Sequence, residues 1–364
     1  MEAMKKTAIV LFNLGGPDSK ESIRPFLFNF FTDPNIIRLP YPFRWLLAHR
    51  IASSRTKKEA GDSYRELGDK SPLLENSRAQ ARALEDLLNG EAGGNNLYKC
   101  FITMRYWHPL ADETAQEVKA WEPDNIILLP LYPQYSTTTT RSSFQEWQKA
   151  AKKTGLDKKP FNLVCCYSLE SGFIAASAEN VRTVYDRAVA ETGLKPRVLF
   201  SAHGLPESVV KDGDPYQEQC ELSAAAIAAA TGVENLDWKI CYQSRIGPRK
   251  WLGPSTEECV HEAIKDGVPL VILPHAFTQE HVETLVEIDI EYRHIAEKAG
   301  IKGYYKAETV GTHPAFIRGL AAMALAAPSM DVIAPYPDAA CCGRHRRCPT
   351  IQYAGLNKTA GKAA

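Results

Sequence analysis

Residues Pro269–Tyr292 read PLVILPHAFTQEHVETLVEIDIEY. Leu270–Leu273 is a short apolar run of buried-strand length. Thr278 is of the type that caps a helix starting directly after it. On that helix Glu283, Glu287 and Glu291 fall four residues apart and share one stripe, while Leu285, Ile288 and Tyr292 form an apolar one. Like charges at this spacing repel, and no Lys or Arg interleaves them before Arg293. The helix dipole favours an acidic first turn, but that effect has faded by Glu291. A strand, a turn and stacked carboxylates fit a place where cations or protons are handled. A solvated acidic helix face has the same pattern, and the spacing alone does not choose.

The strand–turn–helix pattern repeats outward from this stretch. Ala8–Asn13 is an apolar strand turned sharply by Gly15–Gly16, and Tyr98–Met104, Asn125–Pro130 and Phe161–Tyr167 follow as further strands. Helical patterns over Ser77–Leu88, Asp112–Trp121 and Ile174–Val189 alternate with them. After Lys195–Pro196 the order restarts: Val198–Ser201 runs into Ala202–Pro206 as Ala8–Asn13 runs into Leu14–Pro17, and Leu270–Pro274 answers Asn125–Pro130. Alternating strands and helices predict an α/β protein with two similar doubly wound parallel-sheet halves facing a cleft. The expected division is residues 1–172, 173–330 and an irregular Cys-rich tail, 331–364. In doubly wound sheets ligands bind outside the carboxyl ends of the strands. That rule gathers Leu14–Gly16, Arg105–Tyr106, Tyr132–Thr140, His203 and His281–Glu283 around one opening.

Composition excludes several classes. The 364 residues carry equal numbers of basic and acidic side chains, so no broad nucleic-acid footprint is expected. No apolar stretch reaches membrane-spanning length, and the N-terminal apolar run leads into a glycine turn, as a first strand does. Nine cysteines, an odd count in a long chain, argue against a secreted disulfide scaffold and place the protein in a reducing cytoplasm. Two aromatic-rich stretches, Ile23–Phe31 and Leu39–Ile51, read as core helices. A greasy lip around a flat apolar ligand, or a patch on a membrane surface or in a homodimer, has the same composition.

His203 follows a buried strand and precedes Gly204 and Pro206. With Glu283 from another strand end it can bind a divalent cation or remove protons across a cleft. A lone loop histidine held by a hydrogen bond is the plainer reading of His203 by itself. No H-E-x-x-H pair, G-x-G-x-x-G or Walker motif is present, which argues against a tightly held zinc and against nucleotide binding. In the tail, Cys341, Cys342 and Cys348 crowd three thiols suited to zinc or an iron–sulfur cluster, with Arg344, Arg346 and Arg347 available to offset thiolate charge. A reduced, unliganded tail fits as well.

The motifs LFNLGGP (Leu11–Pro17), MRYWHP (Met104–Pro109), LYPQYSTT (Leu131–Thr138), SAHGLP (Ser201–Pro206), CYQSRIGPRKWLGP (Cys241–Pro254) and FTQEHVETLVEIDIEY (Phe277–Tyr292) together resemble ferrochelatase. They stand in that family's order and cover most of the chain from Ala8 to about Ser329. The resemblance implies a lyase that inserts ferrous iron into protoporphyrin IX to give protohaem, in haem biosynthesis. Carried over by residue, His203 and Glu283 are the active-site pair, and these two with Glu287 and Glu291 form a metal or proton route. Arg55, Tyr64 and Ser71 hold the porphyrin. The Arg55–Tyr64 spacing is one residue longer than in one known relative. Arg105, Trp251, Phe277 and His281 line the pocket, and Leu14 stands where some relatives carry Met. Some relatives bind a [2Fe–2S] cluster with tail cysteines and one internal cysteine. Here Thr137 occupies that internal position, so Cys165, or Cys166, is expected to join Cys341, Cys342 and Cys348. A tetrapyrrole carrier without turnover, and a chelatase for another metal or for coproporphyrin, are the competing readings.

Overall fold

The computed structural model describes residues 4–57, 59–92, 96–245, 249–335 and 343–356. Among these residues nine strands form two sheets: β1 Lys6–Asn13, β2 Leu97–Met104, β3 Asn125–Pro130, β4 Phe161–Cys166, β5 Arg197–His203, β6 Trp238–Gln243, β7 Leu270–Leu273, β8 Tyr304–Lys306 and β9 Ile333–Pro335. The first sheet has the order β2-β1-β3-β4-β9 and the second β6-β5-β7-β8, and every pairing is parallel. The first four strands of each half thus share one order, which is the duplication expected from the restart after Pro196. This is the doubly wound arrangement whose ligand crevice opens between the carboxyl ends of the first and third strands.

The strands read as continuous apolar runs because both faces are covered. In β1, Ile9 and Leu11 point one way and Ala8, Val10 and Phe12 the other. The first set shares a core with Val198, Phe200, Val271 and Leu273 of the second sheet. Helices Leu73–Leu87, Ser171–Thr192, Tyr216–Ala230 and Pro314–Ala326 contribute to that core between the sheets. The outer face of the first sheet is covered by helices Ala111–Trp121 and Thr140–Thr154, and that of the second by helix Thr256–Asp266. The last of these starts on a capping box, in which Ser255 Oγ accepts from Glu258 N at 3.1 Å and Glu258 reaches back to Ser255 N.

Three expectations are revised. The tail is not wholly irregular, because Ile333–Pro335 pairs with β4 and becomes the edge of the first sheet. Thr278 caps no helix; its hydroxyl donates to the Leu131 carbonyl at 3.0 Å, and the acidic helix spans Glu283–Tyr292. That helix is wound with i→i+5 bonds, whose wider turn stacks residues four apart more directly than an α-helix of about 3.6 residues per turn. The two aromatic stretches also part company. Helix Ile23–Thr32 buries Ile23, Phe26, Leu27 and Phe31. Helix Tyr41–Thr56 buries only Ala48 and Ala52 and turns Tyr41, Phe43 and Leu46 outward, each more than half exposed. Among the described residues no helix is long and apolar enough to cross a membrane.

Candidate active site

The carboxyl end of β5 delivers His203, and the turn after β7 delivers His281 and Glu283. His203 Nδ1 lies 3.0 Å from Glu283 Oε2, and His281 Nε2 lies 3.8 Å from the same oxygen. One carboxylate oxygen therefore faces two imidazoles. Burial pulls the His203 pKa down, but the Glu283 charge and hydrogen bond, with Glu287 behind, hold it above the ordinary value. Burial pushes Glu283 up, and the charges of His203, His281 and Arg55 outweigh it, holding the carboxyl at about 2. His281 is buried and shifted down, chiefly by burial. Environments that push two like groups apart separate a proton-holding imidazole from a neutral one.

Glu287, one turn on, is fixed from four sides. Gln243 Nε2 donates to it at 3.1 Å, Ser244 N at 2.8 Å, Ser244 Oγ at 2.5 Å and Tyr292 OH at 2.9 Å. Its lone-pair directions are taken, so it acts on the site as a held negative charge. Glu291 stands exposed at the outer end of the same stripe.

The porphyrin-contact candidates fall into groups. Arg55 lies close enough to shift both His203 and Glu283, and Tyr64 is buried with its phenol pushed up by burial and then by Glu283. Leu14 and Val282 pack in the same apolar cluster as Tyr64. Ser71 closes over the Gly15–Gly16 turn, its N–H donating to Pro17 O at 2.7 Å. A Cβ on Gly16 would come within 2.6 Å of the Ser71 side chain, so the bare backbone is what lets Ser71 approach. Phe277 packs on His281 with ring centroids 4.4 Å apart, and Trp251 pairs with Pro206 just beyond His203. Arg105 is engaged by Asp33, at 3.0 Å, and by Ser142 Oγ, at 2.6 Å.

The tail thiols divide. Cys341 and Cys342 lie outside the described residues. Cys348 is buried, its sulfur 3.0 Å from Thr350 Oγ1, and Tyr353 packs edge-on against Phe144 in the apolar cluster that contains Cys165 and Cys166. Cys165 and Cys166 sulfurs are 3.8 Å apart. The arginines expected to offset thiolate charge pair elsewhere, Arg344 with Glu218 and both Arg346 and Arg347 with Asp212. Among the described residues, no three His, Cys, Asp or Glu side chains stand together to hold a metal ion.

Sequence reasoning overlooked Gln243, Ser244 and Gln279, and it read Tyr292 only as part of an apolar stripe. All four lie inside the quoted motifs, but the hydrogen-bonding groups of neutral side chains give no periodic signal that marks them for a site.

Against known proteins, the Ferrochelatase family model matches residues 6–327. A ferrochelatase of Wolbachia sp. subsp. Drosophila simulans is 51% identical over 89% of this chain and 100% of that protein. A ferrochelatase of Caulobacter vibrioides is 50% identical over 87% of this chain and 89% of its own length. Among solved structures, SirB from Bacillus subtilis with Fe3+ superposes with a TM-score of 0.50 at 12% identity, covering 89% of this chain and 96% of that one, a likeness of fold. With the family model spanning both sheets' central strands and half of all aligned residues shared with full-length relatives, the chain belongs to the ferrochelatase family.

Proposed function

We propose that His203 and Glu283 carry the proton traffic of this family's reaction, the insertion of ferrous iron into protoporphyrin IX to give protohaem. The observation that carries this reading is the 3.0 Å contact between His203 Nδ1 and Glu283 Oε2, with His281 Nε2 3.8 Å from the same oxygen. Two pyrrole N–H bonds break, the electron pairs stay on nitrogen and bind the iron, and the iron remains ferrous. The two protons need acceptors. His203 in its neutral form takes one, and the other is released to solvent by way of the Glu283 carboxylate, with the Glu287 charge behind it favouring a proton on the pair. The held charge of Glu287 and the exposed Glu291 favour Fe2+ at the outer end and draw it inward to His203 and Glu283. A flat macrocycle must buckle before metal reaches its nitrogens. Leu14, Trp251 and Phe277 supply apolar walls, and Arg55, Tyr64 and Ser71 suit the propionates. Arg105 supports that wall through Asp33.

The finer features are proposed on narrower grounds. Cys165, Cys341, Cys342 and Cys348 would hold a [2Fe–2S] cluster, Cys341 and Cys342 lying outside the described residues. Support comes from the buried Cys348 thiol and from tail packing against the cluster that contains Cys165. When bound, such a cluster supplies a one-electron redox centre. The outward-facing Tyr41, Phe43, Trp45 and Leu46, beside Arg44, suit peripheral contact with a membrane from the cytoplasmic side, and a homodimer is the other candidate for this patch.

Protoporphyrin fluorescence followed after anaerobic addition of ferrous iron tests the activity. It falls with time for the enzyme, and a free-base spectrum that persists would instead fit a carrier. A red-brown colour lost on Cys348→Ser supports the cluster, and a colourless, iron-free protein made with ample iron refutes it. Sedimentation with anionic vesicles, set beside the solution mass, separates membrane from dimer.

A further inference from the structure

Behind the His203–Glu283 pair, four buried polar side chains from both halves join in one network. Asn13, at the end of β1, donates through Nδ2 to Gln279 Oε1 at 2.6 Å and to Ser77 Oγ at 3.0 Å. Gln279 Nε2 donates to Gln80 Oε1 and to Ser77 Oγ. Gln80 Nε2 donates to the carbonyls of Thr278, at 2.9 Å, and Gly311, at 2.7 Å. Asn76 Nδ2 adds a bond to the Glu280 carbonyl at 2.9 Å. Asn13, Ser77, Gln80 and Gln279 are each at most 4% exposed. A buried network satisfied in this way fixes distances, because every alternative leaves an orphaned polar group in low dielectric.

The two ends of the network are what give it a role. At one end Asn13 Oδ1 accepts from Leu14 N at 2.8 Å and the Asn13 carbonyl accepts from Arg105 N at 2.8 Å, so it holds the wall carrying Leu14 and Arg105. At the other end Gln279 lies two residues before His281 and four before Glu283. The turn has a separate tether to its own half: Glu280 Oε1 accepts from Lys306 Nζ and from Thr309 N, both at 2.9 Å. Loss of the amide network therefore leaves the turn folded but loosens its hold on the opposite wall, which then rests on the bonds from Asn76 Nδ2 to the Glu280 carbonyl and from Thr278 Oγ1 to the Leu131 carbonyl.

We infer that Gln279, with Gln80 and Ser77, is a positioning element that sets where Glu283 and His281 stand relative to the ring held against Leu14. The inference rests on the reading of the site given above. It assigns these three residues to the chemical step rather than to porphyrin binding, since none of them reaches the pocket walls except through backbone.

The test is the double variant Gln279→Met/Gln80→Met, which replaces both partners by apolar groups of similar shape. Metalation of protoporphyrin by ferrous iron is expected to fall ~10- to 100-fold in kcat, the size of effect that a displacement of about 1 Å brings. Porphyrin affinity, read by fluorescence titration without iron, is expected to stay within about threefold. Ser77→Ala removes one hydroxyl with little risk to folding and should lower kcat by ~3-fold or more at unchanged porphyrin affinity. It decides the matter if the double variant does not fold. A kcat within about twofold of wild type in a folded variant overturns the inference, as does a loss of kcat matched by an equal loss of porphyrin affinity. Wild-type protein that leaves the fluorescence unchanged refutes the activity itself, whereas an active wild type with equally active variants refutes only the positioning role.

Discussion

Replacing His203 by glutamine removes the cation from the pair while keeping a hydrogen-bonding group of similar reach. Glu283 is held at about 2 against an ordinary 4.5, a preference for the ionised form worth ~3 kcal/mol. Burial works against that preference, and the His203 charge and hydrogen bond lead the effects that favour it. Without His203, burial gains the upper hand and the carboxyl climbs toward its ordinary range. The signs follow from linkage. Glu283 has a depressed folded value, so its stabilisation is present above 4.5 and is lost as pH falls toward 2. His203 has a raised folded value, so its stabilisation is complete below 6.5 and is lost as pH rises through the folded value. The pair therefore stabilises the fold most between about pH 4.5 and 6.5. Urea unfolding should find His203→Gln less stable than wild type by ~2–3 kcal/mol near pH 5.5, with a gap that narrows toward about pH 3 and again as pH rises through the folded His203 value. Iron insertion followed by porphyrin fluorescence should fall ~10²- to 10⁴-fold, with porphyrin binding retained. A stability gap that is constant across pH, or metalation that survives the substitution, would refute the coupling argued here.

Two further outcomes are expected. Gly204→Ala would place a Cβ 2.8 Å from the Gln243 carbonyl oxygen and 3.3 Å from Trp251 Cε3. Backbone cannot yield there, so thermal unfolding should show a loss of ~1–3 kcal/mol, and displacement of the neighbouring His203 should lower iron insertion at least tenfold. His275 is buried and its pKa is pushed down to about 4 by that burial, so the unfolded chain binds the extra proton below 6.5 and stability falls as pH drops from 6.5 toward 4, by ~3 kcal/mol for this group. His275→Phe should flatten that part of the urea-unfolding profile, and an unchanged slope would show that the histidine is not its source.

The strands were legible because a strand in a covered parallel sheet must be apolar along its whole length, and Ala8–Asn13, Asn125–Pro130 and Leu270–Leu273 are. The restart after Pro196 was legible for the same reason, and it corresponds to two sheets of one strand order. His203 and Glu283 could be picked out because each follows such a strand, and the carboxyl ends of central strands converge in this fold. Sequence alone thus determined the architecture and which ionisable groups stand at or just beyond the carboxyl ends of its central strands. Tertiary structure decided what those groups touch. Glu287 reads as one carboxylate in a row, but donors from Gln243, Ser244 and Tyr292 make it a fixed charge. Arg346 and Arg347 read as counter-ions for thiolates, yet Asp212 lies within reach of both. Ile333–Pro335 is too short to announce itself and becomes a strand only because β4 offers an edge. The same aromatic composition is buried in helix Ile23–Thr32 and exposed in helix Tyr41–Thr56, since exposure depends on what packs above a helix. The bond from Asn13 to Gln279 spans 266 residues of chain, and no local pattern encodes a partner at that separation.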